Sequence, residues 1–225
     1  MSQHITSIQV GLPQSFGVKG ADDPMDRSWV TGFFKEPVQG EVWLGQMNLV
    51  GDGQADLKNH GGIDKAVLAY AAVHYPYWQE QLDLLSLPYG AFGENFTVVG
   101  QSESSVCIGD IYTVGDAQVQ VSQPRQPCWK LSRRWRISDL AQQVKAGGRT
   151  GWYFRVIKEG TVAPGLELVL KDRFYPEWTV ERANRVMYQE RNNRQAAVEL
   201  ASCPLLANDW QKTLMKRGSS KKHES

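Results

Sequence analysis

The sequence contains no pair of cysteines spaced C-x-x-C. Its three cysteines, Cys107, Cys128 and Cys203, stand far apart. That spacing excludes zinc-ribbon and thioredoxin chemistry and gives no basis for a disulfide framework, a device that a chain of 225 residues does not need. Net charge is nearly absent, with 25 Lys and Arg against 24 Asp and Glu. No whole-surface attraction to nucleic acid or to a membrane is expected, so any electrostatic site must be local. There is no run of about 18 apolar residues that would span a bilayer. The first residues, MSQHITSIQVG, lack a basic region followed by an apolar run. These two absences lead to the expectation of a cytoplasmic protein with reduced thiols. No G-x-G-x-x-G fingerprint, EF-hand loop or internal repeat is found.

What is present is a series of short apolar runs punctuated by Gly and Pro. Strands are expected at Ile5 to Val10, 66 to 72, Phe96 to Val99, Val106 to Ile108, Ile111 to Val114, Val119 to Val121, Trp152 to Ile157 and Leu166 to Leu170. Gly109-Asp110 reads as a hairpin turn, and the alternation in QVQVS (118 to 122) as a half-buried strand. Residues 11 to 40 read as one long loop. Pro76 suits the first turn of a helix whose apolar face carries Trp78, Leu82 and Leu85. Ile137, Leu140, Ala141 and Val144 form a second short helix, closed by Gly147-Gly148. After Asp172 the pattern becomes helical. Thr179 is placed to cap a helix with Val180, Ala183 and Met187. Asn193 is placed to cap another with Ala196, Ala197 and Leu200. Pro204 then precedes a third, carrying Leu206, Trp210 and Leu214. Many short strands imply a barrel or sandwich. The expected organisation is a mainly β domain over 1–172, a three-helix appendage over 173–217 and a disordered polar tail over 218–225.

Three segments carry chemistry. In GDGQAD (51 to 56), NHGG (59 to 62) and DKAV (64 to 67), titratable groups crowd a glycine-rich stretch where backbone N–H groups can approach an anion. The same residues also fit an ordinary polar turn in which Asp side chains, Asp52 and Asp64 among them, shape the loop. In FGEN (92 to 95), a Glu-Asn pair enters a strand. It could bind the edge of a heterocycle or simply hold a turn. In VSQPRQPCWKL (121 to 131), two prolines stiffen the chain ahead of Cys128. Arg125, Lys130, Arg133, Arg134 and Arg136 surround it in sequence, with no acid before Asp139. Nearby cations favour thiolate over thiol, and a thiolate is both a nucleophile and a soft metal ligand. Arginine and lysine there also suit phosphate. A free cysteine is often only a small buried hydrophobe, a reading that fits Cys107 and Cys203 better.

Taken in this order, GDGQAD, NHGGIDKAV, FGEN, IGD and VSQPRQPCWKL resemble the MOSC family, named for the C-terminal domain of molybdenum cofactor sulfurases. TGFFKEPV (31 to 38) and the helical tail resemble its YiiM-like branch. The resemblance implies a mainly β, MOSC-type barrel with peripheral helices, followed by a small three-helix domain. It implies a molybdopterin-type molybdenum cofactor, with Cys128 contacting metal or carrying sulfur. His60 would serve the chemistry. Asn95, Lys35, Thr31, Arg125 and Lys130 would contact the cofactor, several of them at its phosphate. The implied activity is reduction of N-hydroxylated small molecules such as hydroxylaminopurines, with His60 delivering a proton. No flavin or dinucleotide signature appears, so an external electron-donor protein is expected. Two other readings remain: a sulfur or cofactor carrier without turnover, and RNA binding through 125 to 136, the latter disfavoured by the charge balance. Pyridoxal phosphate is not expected. The helical appendage offers a surface for a homodimer.

Overall fold

The computed structural model describes residues 2–219. Residues 220–225 of the tail expected to be disordered lie outside the described residues, while Gly218 and Ser219 belong to the last helix.

Strand β1 (His4–Val10) is followed by a small hairpin of β2 (Gln14–Phe16) and β3 (Trp29–Thr31), and then by β4 (Glu36–Pro37) and β5 (Val42–Leu44). The stretch expected to be one long loop is therefore partly ordered as sheet. Phe16, Trp29 and Phe34 pack ring on ring, which gives the hairpin a local apolar anchor that its Gly and Asp content conceals. The main sheet has eight strands, ordered β12-β8-β9-β10-β6-β7-β1-β4. It comprises β6 (Val67–Ala71), β7 (Phe96–Val99), β8 (Ile111–Val114), β9 (Ala117–Pro124), β10 (Trp152–Lys158) and β12 (Val169–Asp172) together with β1 and β4. It curls on itself. The segment that leads into β12 returns to β1: Ile5 N donates to Leu166 O at 3.0 Å and Leu168 N to Gln3 O at 2.9 Å. A separate ribbon pairs β11 (Gly160–Val162) with β5.

Among the described strands, only β6 and β7 pair in parallel, so the chain must cross over between them. It does so through α2 (Tyr75–Gln81), with Pro76 in the first turn. This crossover explains why β6 reads as an unbroken apolar run. Val67, Ala69 and Ala71 face the barrel core, while Tyr70 faces a second core with Tyr75, Trp78 and Phe92 under the crossover. A strand buried on both faces shows no alternation. Leu82 caps α2, but the helix ends before Leu85, which is fully exposed, so the third member of the expected apolar face is lost.

Three other expectations are corrected. Val106 to Ile108 is not a strand but a turn making a single bridge from Cys107 to Thr179. Asp110 does not turn a hairpin. Its carboxylate accepts from Cys107 N and from the Tyr112 phenol and pairs with Arg173. The hairpin turn lies at Gly115-Asp116, between β8 and β9. Strand β9 is buried along nearly all its length, not half-buried. Its second face meets α5 (Val180–Tyr188), the first of the C-terminal helices, and Ala207 N, in the turn between α6 (Arg194–Ala201) and α7 (Asn208–Ser219), donates to Ser122 O at 2.9 Å. Thr179 and Asn193 cap α5 and α6 as expected, each accepting a backbone N–H three residues on.

Candidate active site at the barrel mouth

A cleft of about 610 Å³, including its open mouth, lies where β3, the loop from 51 to 62, the turn before β7 and the segment after β9 converge. Thr31, Lys35, His60, Asn95, Arg125, Cys128 and Lys130 all line it. These residues span nearly a hundred positions of sequence, and the fold brings them to one place.

Cys128 follows the proline-stiffened end of β9 in an extended conformation, at the N-cap of α3 (Trp129–Trp135). Sequence reading did not identify this helix. Its first turn has no acid and it carries two tryptophans and three cations, so it has no amphipathic signature. The cysteine is half-buried and opens to the cleft, unlike the buried Cys107 and Cys203. Burial drives the Cys107 thiol up to about 11, an inert structural setting.

The cations around Cys128 differ in what holds them. Lys35 is buried against Asp52, to which it donates a short hydrogen bond. Burial lowers its pKa, and the Asp52 charge opposes that shift. Arg125 is only 4% exposed, and its Nη1 has no hydrogen-bond partner among the described residues. Lys130 is nearly as buried. Its Nζ lies 6.0 Å from the Trp129 ring and enters no ion pair among the described residues. A buried cation without a partner is costly, and an anion placed beside it removes the cost. Arg125 and Lys130 therefore fit the phosphate of a pterin cofactor, whereas Lys35 is already neutralised.

Several of the residues singled out in the sequence make contacts within the chain. Asn95 accepts from Leu68 N at 3.1 Å and donates to Gln9 O at 3.2 Å and to Asp52 Oδ2 at 2.9 Å. It ties β1, β6 and the 51 to 56 loop together, and both its amide hydrogens are engaged. Glu94 is buried and accepts from Gly90 N, Phe92 N, Thr97 Oγ1 and the Tyr75 phenol, so it braces its own turn rather than a heterocycle. Thr31 accepts from Phe33 N at 3.0 Å and shapes the turn that carries Lys35. Asp64 pairs with Arg155 at 2.8 Å. His60 lines the cleft. Burial, reinforced by Lys130, pushes its pKa down from 6.5 to about 4, so the ring is uncharged at neutral pH.

Sequence reading missed Tyr153. It lines the cleft from β10, opposite Gln123 in register, and burial pushes its phenol up to about 12. Period 2 along the expected strand does separate Tyr153 from the buried Trp152 and Phe154. Which face meets the cleft, however, depends on the curl of the sheet.

Comparison with known proteins bears on the fold and the family. Residues 56–169 match the MOSC domain family, and residues 178–218 match the YiiM-like, 3-alpha helix domain. The chain is 43% identical to YflK of Bacillus subtilis over 213 residues, covering 95% of this chain and 93% of that one. It is 34% identical to a protein of Gibberella moniliformis named Reductase over 78% of this chain but only 32% of that much longer protein. The crystal structure of YiiM from Geobacillus stearothermophilus superposes with a TM-score of 0.80 at 37% identity, covering 96% of this chain and 100% of that one. With the barrel and the C-terminal helices both matched in this way, the chain belongs to the MOSC family, in its YiiM-like branch.

Proposed function

We propose that the protein is a molybdenum-cofactor-dependent reductase of N-hydroxylated small molecules, with Cys128 as its key sulfur. The observation that carries this reading is the half-buried Cys128 sharing one cleft with the unpartnered, buried Arg125 guanidinium and with Lys130. Family membership and a reductase-named relative support it. Among the described residues, no group of three or more His, Cys, Asp or Glu is placed to hold a bare metal ion. A metal reaching Cys128 would thus come with an organic group whose phosphate the cations hold. When bound, that group supplies the redox chemistry and accepts the oxygen.

Reduction of R–NHOH to R–NH2 breaks the N–O bond, consumes two electrons and two protons and releases water. The electrons come from an external donor protein. The chain's own part is to hold and to orient, and the two protons enter from water through the open mouth of the cleft. Arg125 and Lys130 fix the anion, Cys128 offers a soft ligand, and the Lys35–Asp52–Asn95 cluster locks the loops that carry them. His60, uncharged at neutral pH, orients ligands through hydrogen bonds. The Tyr153 phenol, kept protonated by burial, is a hydrogen-bond donor on the cleft wall.

The test is to purify the protein from a host that makes the cofactor. Bound molybdenum and reduction of 6-hydroxylaminopurine with an artificial electron donor are expected, with turnover abolished in Cys128→Ser. Undiminished turnover in a cofactor-free preparation would overturn the reading. Bound cofactor without turnover would instead mark the protein as a carrier.

A further inference from the structure

Between Gly53 and Gly61 the chain reads QADLKNH, with only Ala55 and Leu57 apolar. That is too little to seat a segment in a core, and no residue from 54 to 61 is buried. Its one element is the single-turn helix α1 (Leu57–His60). The hydrogen bonds there are nearly all internal. Asp56 Oδ1 accepts from Asn59 N at 3.1 Å, Asp56 O from His60 N at 2.9 Å, and Leu57 O from Gly61 N at 3.2 Å. A lone helical turn has little stability of its own. Among the described residues, one hydrogen bond joins 54–61 to the rest of the chain: Lys65 Nζ donates to Asn59 O at 3.0 Å.

The two ends, by contrast, are fixed. Gly53 N donates to Gly11 O at 3.1 Å. Asp64 O accepts from the Ser122 hydroxyl at 2.6 Å, and the Asp64 carboxylate pairs with Arg155. Glycine stands beside each anchor. At Gly62, with φ 100°, an added Cβ would meet nothing within 4 Å, so this joint has room to turn. A loosely held segment between fixed ends, with glycine at both, has the makings of a hinge.

The segment lies between two spaces. Besides the cleft, a chamber of about 1140 Å³, including its open mouth, is bordered by Asp209 and Thr213 of α7. Gln54 and Ala55 line the cleft, Asp56, Lys58 and Asn59 line the chamber, and His60 lines both. The half-buried Cys128 also borders both. Lys65 is the catch. Its side chain is 12% exposed, and its ammonium lies 3.4 Å from Asp209 Oδ2 as well as bonding Asn59. The Asp209 side chain is 71% exposed, and an ion pair with so exposed a partner is weak, as a catch that must release requires.

We propose that residues 54–61 are a hinged flap, latched through Lys65 to α7, that sets how large a molecule can reach Cys128. With the flap down, His60 stands between cleft and chamber. With it lifted, the two join into one space open to Cys128. The inference concerns access alone and does not depend on the reductase reading.

Two measurements on the full-length protein test it. Hydrogen exchange read by mass spectrometry reports flap opening, with the β6 amides as internal reference. Labelling of Cys128 by N-ethylmaleimide and by the bulkier N-pyrenylmaleimide reports access, since Cys107 and Cys203 are buried. Each rate is divided by that with free cysteine, and the bulky-to-small ratio cancels any change in thiolate fraction. In wild type the amides of 57 to 61 should exchange far faster than those of β6, and the bulky reagent should be the slower. Lys65→Met should raise both flap exchange and the ratio by about fivefold, the weight of one hydrogen bond, with β6 unchanged. Asp209→Asn, at an exposed position, should move both the same way by less, and it decides the matter if Lys65→Met does not fold. Flap amides as protected as those of β6, wild type without size selection, or exchange and ratio unmoved by the variants would overturn the proposal.

Discussion

At the scale of single residues, two buried cations close together call for opposite expectations. Lys35 and Asp52 are both almost inaccessible and satisfy each other, with Gly11 N and Asn95 also donating to the carboxylate. Lys35→Met leaves that carboxylate with a buried charge and one counter-ion fewer, a change that typically costs about 3–5 kcal/mol. Arg125 has no such partner. Arg125→Met removes a desolvated charge that the folded chain does not neutralise, so the cofactor-free variant should melt at or above the wild-type temperature while retaining markedly less molybdenum. Melting curves and metal analysis on the two variants separate them, and a large loss of stability in Arg125→Met would show that this guanidinium is structural. His60 gives a third expectation. The unfolded chain takes up a proton on this imidazole near pH 6.5, which the folded protein refuses until about pH 4. The unfolded state thus binds more protons in that window, and stability falls as pH drops through it. Because the ring is partly solvated, the loss is about 1–2 kcal/mol. His60→Gln should flatten that part of the stability profile measured by denaturant unfolding from pH 7 to pH 4, and an unchanged slope would place the titration elsewhere.

At the scale of elements, the two glycine-bearing turns that present the cleft can be distinguished by what a methyl group would meet. Gly62, with φ 100° and ψ 163°, occupies a region open only to glycine, yet its added Cβ would touch nothing within 4 Å. Gly93, with φ 78°, would press a Cβ to 2.9 Å from the Phe33 ring, which lines the cleft and lies under Arg134. Gly62→Ala should therefore cost only backbone strain, about 1–3 kcal/mol, or about 2–4 °C in Tm per kcal/mol for a chain of this size. Gly93→Ala should cost more and also weaken cofactor retention, because Phe33 has to move. Comparable melting and comparable molybdenum content in the two variants would refute the distinction. The same turns show what was legible in advance. Local chemistry exposed strands β1, β6, β7 and β10, the caps Thr179 and Asn193, and Cys128 with its cations, because each has a signal within a few residues. The register that sets Tyr153 opposite Gln123 was not legible, nor was the cover that buries QVQVS on both faces, nor the reach of Asn95 to Asp52. These depend on how distant segments meet. Glu94 and Asn95 drew attention as possible ligand contacts because side chains with the same donors and acceptors can serve either a ligand or the backbone, and only the folded turn decides between them.

At the scale of the whole molecule, the boundary between barrel and helices falls after β12 in sequence, yet the apolar core runs straight across it. Val106, Ile108 and Val121 of the barrel share one cluster with Val180, Val186, Leu200, Trp210 and Leu214. The backbone joins too: Ile108 N donates to Trp178 O and Val180 N to Val106 O, each at 2.8 Å. Removing the helices would bare the outer face of β9 and undo the burial of several large side chains, each worth about 1.5–3 kcal/mol. That sum matches or exceeds the 5–15 kcal/mol that holds an ordinary domain together. The full chain should therefore unfold in a single calorimetric transition whose van't Hoff and calorimetric enthalpies agree. A chain cut after Asp172 should lose its near-ultraviolet circular dichroism and melt without a sharp transition. Two resolved transitions, or a truncated barrel that melts sharply by itself, would mean that the helices are an independent unit set against a barrel that stands alone. A single transition would mean that the helices and the barrel cannot part without the protein unfolding.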